Sequence, residues 1–151
     1  MKKISIYIDI DYKGNFACGE GKISIVLEMM HGDVPVTKEH FWGYKETTKN
    51  RISLLACINA LSYMKEGCEI TIYIDSAYVT GSVPFLDKWQ QEGLESKKNS
   101  DLWKKYIAAA ENHLIEFVNE KENEYSRAMA VQRNIEKIIM LTDYKPEDEF
   151  K

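Results

Sequence analysis

The feature that most constrains this chain is a change of hydrophobic period near residue 48. Ahead of that point apolar residues alternate. Ile4, Ile6 and Ile8 take turns with Ser5, Tyr7 and Asp9, and a period of two marks a half-buried strand. Tyr12-Lys13-Gly14-Asn15 carries turn chemistry. Phe16 to Met30 predicts a second strand, with its β-branched residues between Ile23 and Val26. His31-Gly32-Asp33 predicts a turn, and Val34 to Tyr44 a third strand with Pro35 near its start. Three strands joined by short turns make an antiparallel meander.

Beyond residue 48 the spacing becomes helical. From Thr48 to Lys65, residues Ile52, Leu55, Ala56, Ile58, Asn59 and Leu61 follow that repeat, and Gly67 is a C-cap signal. Glu69 to Ile74 (EITIYI) reads as a short buried strand, followed by Asp75-Ser76 at a helix N-cap. Pro84 opens a short helix that Gly93 closes. Asp101 to His113 predicts a helix capped by Ser100 or Asp101, Leu114 to Val118 a fifth strand, and Glu122 to Leu141 a long amphipathic helix. The order β-β-β-α-β-α-α-α-β-α implies an α/β fold. It has a mixed five-stranded sheet, a three-strand meander plus parallel strands, flanked by helices. One domain is expected over residues 1–141, and a frayed acidic tail over 142–151.

Composition narrows the function classes. With 151 residues, 44% of them hydrophobic, the chain can bury a real core. A net charge of −4 argues against a broad polyanion-binding surface, so any nucleic-acid site must be a local basic patch. Cys18, Cys57 and Cys68 are odd in number and lack CxxC spacing, which fits reduced thiols. MKKISIYIDI is broken by Asp9 and Asp11 and is not a signal segment. No apolar run nears the ~20 residues of a membrane helix, so the expectation is a cytoplasmic protein with no membrane partner. His31, His40 and His113 are scattered and lack ligand spacing. Met29, Met30, Met64, Met129 and Met140 read as core packing, and Trp103 as a helix-to-sheet anchor.

Acids at strand ends carry whatever chemistry there is. Asp9 and Asp11 are two apart and share a strand face. Asp75 ends the fourth strand, where open α/β sheets place their sites. If the first and fourth strands are neighbours, Asp9 and Asp75 lie side by side, and two such carboxylates either raise one pKa or bind a cation. Equally, Asp75 can merely cap a helix and Asp11 merely open a turn.

Five segments in order resemble type 1 ribonuclease H. They are Tyr7-Ile8-Asp9 with Gly14-Asn15, and Thr47-Thr48-Lys49-Asn50-Arg51 with Leu54, Leu55, Ala56, Ala60 and Leu61. Then come Ile74-Asp75-Ser76 with Tyr78-Val79, Asp101-Leu102-Trp103, and Glu122-Asn123-Glu124 with Ala128 and Ala130. The resemblance spans Ile4 to about Ala130. It implies a ribonuclease H-like fold, cleavage of the RNA strand of RNA–DNA hybrids, and two-metal hydrolysis with Mg2+ or Mn2+ held by an Asp, Glu, Asp, Asp set. Position by position, the first member is Asp9 and the third Asp75. Ser53 stands where the Glu belongs, and Arg127 where the last Asp belongs. The His-bearing loop before the last helix is missing, and Phe16-Ala17-Cys18 replaces a Pro-Gly-rich stretch. Arg127 cannot be deprotonated, so it is expected to pair with Asp9 or Asp75 in place of the metal. Asp11 and Glu124 are possible substitute carboxylates. Asn15, Thr48, Asn50 and Arg51 match positions that touch the hybrid backbone or minor groove. Trp89 sits among balanced charges, and Lys97, Lys98, Lys104 and Lys105 form either a phosphate track or a solvated face.

Three functions stay open on this reading. One is a divergent ribonuclease H-like protein, a pseudoenzyme with lost or strongly reduced cleavage and retained nucleic-acid or protein binding, needing no cofactor. The second is an active magnesium-dependent ribonuclease H with a remodelled carboxylate set. The third is a protein-interaction module without a nucleic-acid role.

Overall fold

The structure, a computed structural model, describes residues 1–132 and 143–149. Five strands build one sheet: β1 Lys2–Gly14, β2 Gly19–His31, β3 Val34–Thr47, β4 Cys68–Ile74 and β5 Leu114–Asn119. Their order across the sheet is β3-β2-β1-β4-β5. β1, β2 and β3 pair antiparallel, while β4 runs parallel to β1 and β5 parallel to β4. Helices α1 Lys49–Leu61, α2 Ala77–Ser82, α3 Leu86–Glu92 and α4 Ser100–Ala110 follow the meander. A further helix, α5, begins at residue 126 and is described to residue 132. The expected architecture and element order are both present.

Strand alternation divides the molecule into two faces. Ile6 and Ile8 of β1, Ile23, Ile25 and Leu27 of β2, and Ile70, Ile72 and Ile74 of β4 point one way. There they meet Leu54, Leu55 and Leu61 of α1 and Leu102, Trp103 and Tyr106 of α4 in one buried cluster. Trp103 is fully buried, as its role of anchor requires, and its indole N–H donates to the Tyr78 hydroxyl at 2.9 Å. The odd residues of β1 point the other way. Tyr7 joins Val26 and Met129 in a second, smaller cluster beneath α5.

Boundaries differ from expectation where side chains compete for the backbone. β2 starts at Gly19, since residues Asn15 to Cys18 close a turn: the Asn15 N–H donates to the Cys18 carbonyl at 3.2 Å. A Cβ at Gly19 would lie 2.4 Å from the Tyr12 hydroxyl, so only glycine lets the hairpin close. α1 stops at Leu61, with Ser62 as its C-cap. Gly67 serves a different purpose from the expected cap, because a Cβ there would meet the Asn112 carbonyl at 2.7 Å. The N-cap of α4 is Asn99, in the left-handed conformation at φ 62, and not Ser100 or Asp101. Asp101 is drawn instead to Arg51.

α5 begins at residue 126 and not at Glu122. Its expected end at Leu141, Met140, and the expected domain boundary at 141/142 lie outside the described residues. The described part of the tail lies against the sheet. Lys145 forms a parallel bridge to Tyr44 on the outer edge of β3, with its N–H donating to the Gly43 carbonyl at 2.9 Å. Met29 and Met30, expected in the core, are exposed at 37% and 52%, because they lie at the far end of β2 and belong to neither buried cluster. Met64 packs partly against the core, and Met129 is buried. All three cysteines are free thiols, and burial pushes Cys57 up to about 12. No helix among the described residues is long and apolar enough to cross a membrane.

Candidate nucleic-acid and catalytic site

Strand pairing decides where the two aspartates meet. β1 and β4 are adjacent, with Tyr7 opposite Tyr73. Continued by two residues, that register sets Asp9 beside Asp75, on neighbouring strands ~4.8 Å apart. Asp9 is half-buried in the middle of β1, and Asp75 is exposed just past the end of β4. The β4 terminus is fastened around Asp75. Ser76 caps α2 by accepting from the Val79 N–H at 3.1 Å, and the Ser76 N–H donates to the Asn119 side chain at 3.2 Å. Asp11 lies farther along β1 on the Asp9 face, opposite the buried Lys22 of β2.

The other two positions of the implied set behave differently. Ser53 is 2% exposed in α1, and its hydroxyl donates to the Lys49 carbonyl at 2.7 Å. That is the i−4 bond by which serine satisfies itself within a helix. Arg127 is exposed, and among the described residues no ion pair joins it to Asp9 or Asp75. The expected pairing of its guanidinium with either aspartate is thus not seen among the described residues. Helix geometry gives the reason. Tyr125 and Met129 are one turn apart, linked by a Met129 N–H to Tyr125 carbonyl bond of 2.9 Å, and both pack on the sheet. Arg127 falls halfway between them, which on a helix is the opposite side.

Two tyrosine–carboxylate bonds hold that segment in place. The Tyr7 hydroxyl donates to Glu124, and the Tyr125 hydroxyl donates to Glu28, each at 2.5 Å. Tyr7 stacks on Tyr73 at 4.6 Å and meets the edge of Tyr125 at 4.8 Å. Desolvation, reinforced by the bond to Glu124, raises the Tyr7 phenol well above its usual range. The bond to Glu28, then desolvation, pushes Tyr125 up to about 12. Glu124, a candidate substitute ligand, is thus engaged beside Tyr7, two residues before Asp9. Sequence reasoning did not find this cluster, since its contacts span more than ninety residues and leave no local pattern.

The residue types do not fit a four-carboxylate cage. Two matching carboxylates remain, one position is a serine already bonded to its own helix, and one is a cation turned outward. Among the described residues no three His, Cys, Asp or Glu side chains gather closely enough to hold a metal ion.

The residues expected to touch nucleic acid are brought together in part. Asn15, Thr48 and Asn50 line one cleft of about 400 Å³ with Lys49, Lys98 and Phe16. Thr48 caps α1, accepting from the Arg51 N–H at 3.1 Å. Asn15 accepts from the N–H groups of Ala17 and Cys18 at 2.8 and 3.0 Å. Arg51 is turned to other work. Its guanidinium donates to both oxygens of Asp101 at 3.0 and 2.7 Å, to Glu147 and to Asn99. Those partners hold the Arg51 pKa above its usual value and the Asp101 carboxyl below the carboxylate range. Glu147 also accepts from the Thr47 hydroxyl at 2.6 Å. Half of the basic stretch is tied up locally: Lys104 pairs with Glu95 at 3.1 Å, and Lys97 lies over the Trp89 ring at 5.2 Å.

Comparison with known proteins agrees with this geometry. The RNase H family model matches residues 1–124. The ribonuclease H of Acetivibrio thermocellus is 36% identical over 136 residues, which is 83% of this chain and 88% of that protein. The ribonuclease H of Clostridium botulinum is 35% identical over 137 residues, covering 83% and 89%. Among solved structures, LC9-RNase H1, described as a type 1 RNase H with the type 2 active-site motif, superposes with a TM-score of 0.73. It has 24% identity and covers 87% of this chain and 72% of that one. LC11-RNase H1 in complex with an RNA/DNA hybrid superposes at 0.54, with 20% identity, covering 83% and 92%. Sheet order and these likenesses lead to one conclusion: the chain belongs to the ribonuclease H family.

Proposed function

We infer that this chain is a ribonuclease H family protein that binds RNA–DNA hybrid and has lost, or retains only weakly, the power to cut it. The observation that carries the reading is Ser53. A bridging carboxylate has been exchanged for a buried hydroxyl already bonded to the Lys49 carbonyl. Arg127 supports it in a different way: an outward-facing cation stands where the family set has a carboxylate, so that position offers no ligand to a divalent ion. Retained binding is supported by the cleft of Asn15, Thr48 and Asn50 and by the hybrid bound to LC11-RNase H1.

A second reading, an active magnesium- or manganese-dependent enzyme with substitute acids, is favoured by two observations. Relatives at about 36% identity carry the ribonuclease H name, and Asp11 shares the Asp9 face. In this reading Glu124 would have to leave Tyr7. Incubating purified protein with a labelled hybrid and either metal separates the two. The first expects cleavage at or barely above background, and a measurable gain from Ser53→Glu. Efficient metal-dependent cleavage by the native chain, many turnovers above background and abolished by Asp75→Asn, establishes the second. Absence of any salt-dependent hybrid binding rejects both in favour of a protein-interaction module.

A further inference from the structure

The turn between β1 and β2 stands at the rim of the cleft just described, whose walls come from three separate parts of the chain. Lys49 and Asn50 arrive on the first turn of α1, and Lys98 just ahead of α4. Both charged residues of the lining are lysines, and no carboxylate lines it. Neither lysine forms an ion pair among the described residues.

The turn itself is rigid. The Tyr12 hydroxyl donates to the Asn15 carbonyl at 2.6 Å, the Asn15 side chain accepts two N–H groups, and the Asn15 N–H reaches Cys18. Phe16 projects from this frame with 90% of its surface in solvent and joins neither apolar cluster. A lone exposed apolar side chain needs no explanation. Here, though, a phenyl ring is carried by a hydrogen-bonded turn at the mouth of a cationic, amide-lined cleft. A basic groove with an aromatic face beside it is how proteins grip an unpaired strand.

The geometry points to Phe16 as a stacking post for one unpaired nucleotide, with the adjoining backbone phosphate against Lys49 and Lys98. The nucleotide must be unpaired because neighbours cover both faces of a base inside a duplex. Only a base at a single-stranded overhang or junction offers a free π face to a side chain. The inference rests on the nucleic-acid reading above and deepens it: the ligand becomes a hybrid that ends in, or gives way to, single strand.

The test uses the full chain and a fluorescently labelled RNA–DNA hybrid, either blunt or carrying an unpaired overhang. Polarisation titrations are expected to show tighter binding to the overhang form. Phe16→Ala is expected to weaken that form about 5- to 50-fold and to change the blunt form by less than about twofold. Phe16→Trp is expected to restore affinity, and its added indole emission to be quenched by the overhang hybrid alone. Thermal melts of both variants should overlay the native chain, since Phe16 supports no core. Native affinity in Phe16→Ala, or an equal loss on both hybrids, overturns the stacking post while leaving hybrid binding in place. Failure of the native chain to bind either hybrid overturns both inferences.

Discussion

The two faces of the sheet are held by different physics. On one, isoleucines of β1, β2 and β4 lock against α1 and α4, and the few buried polar groups, such as Asn59 donating to the Tyr44 hydroxyl at 2.8 Å, are paired. This face is stabilised by area removed from water and by close packing. On the other, Tyr7 stacks on Tyr73 and meets the edge of Tyr125, and the Tyr7 and Tyr125 hydroxyls reach Glu124 and Glu28. That face sits beside Asp9, Asp75 and Asp11, and polar groups with fixed partners are what such a neighbourhood demands. The first face makes the domain stable; the second specifies where α5 lies and which of its residues look inward.

Substitutions on each face test the division, and the largest effect belongs to the apolar side. Ile72→Ala, at a fully buried site in the middle of β4, is expected to cost about 3–4 kcal/mol. Chemical denaturation reads this directly, and a loss below about 1 kcal/mol would break the contrast.

The rim where α1, α4 and the tail meet comes next. Arg51 and Glu147 side chains are 21% and 19% exposed, so their pairing is partly screened. Arg51→Met, which strands a half-buried carboxylate, is expected to cost about 1–3 kcal/mol. The pH dependence has a definite sign. The Asp101 carboxyl is held below the usual range by Arg51, so its contribution is present above about pH 4 and is lost as pH falls through the depressed value. The melting temperature should fall with pH through this range in the native chain and depend less on pH in Arg51→Met.

The smallest effect is expected on the polar face. Tyr7→Phe removes one partly buried hydroxyl from Glu124 and should cost about 1 kcal/mol. Because the Tyr7 phenol is raised in the folded state, its stabilisation is complete below its ordinary value near 10 and fades as pH climbs above it. Alkaline titration followed by tyrosinate absorbance should show late-ionising tyrosines in the native chain and one fewer in the variant. An unchanged profile would remove the hydrogen bond to Glu124 from the account.

Alternation in Ile4 to Asp9, the helical run after Thr48, and the five family segments were enough by themselves to specify element order, sheet type and family, because periodicity and turn chemistry are local properties. The same locality made Ser53 and Arg127 legible as departures from a carboxylate set. Tertiary structure decided what those residues do. Nothing near Arg127 in the chain says that Tyr125 and Met129 claim the inward side of α5. Nothing near Arg51 says that Glu147, ninety-six residues on, returns along β3 to meet it. Asn15 lines the cleft through a turn closed by Tyr12 and Gly19, and Met30 is exposed because neither buried cluster reaches the end of β2. Such outcomes depend on which distant surfaces compete for a side chain, and that competition is settled only when the whole fold is packed.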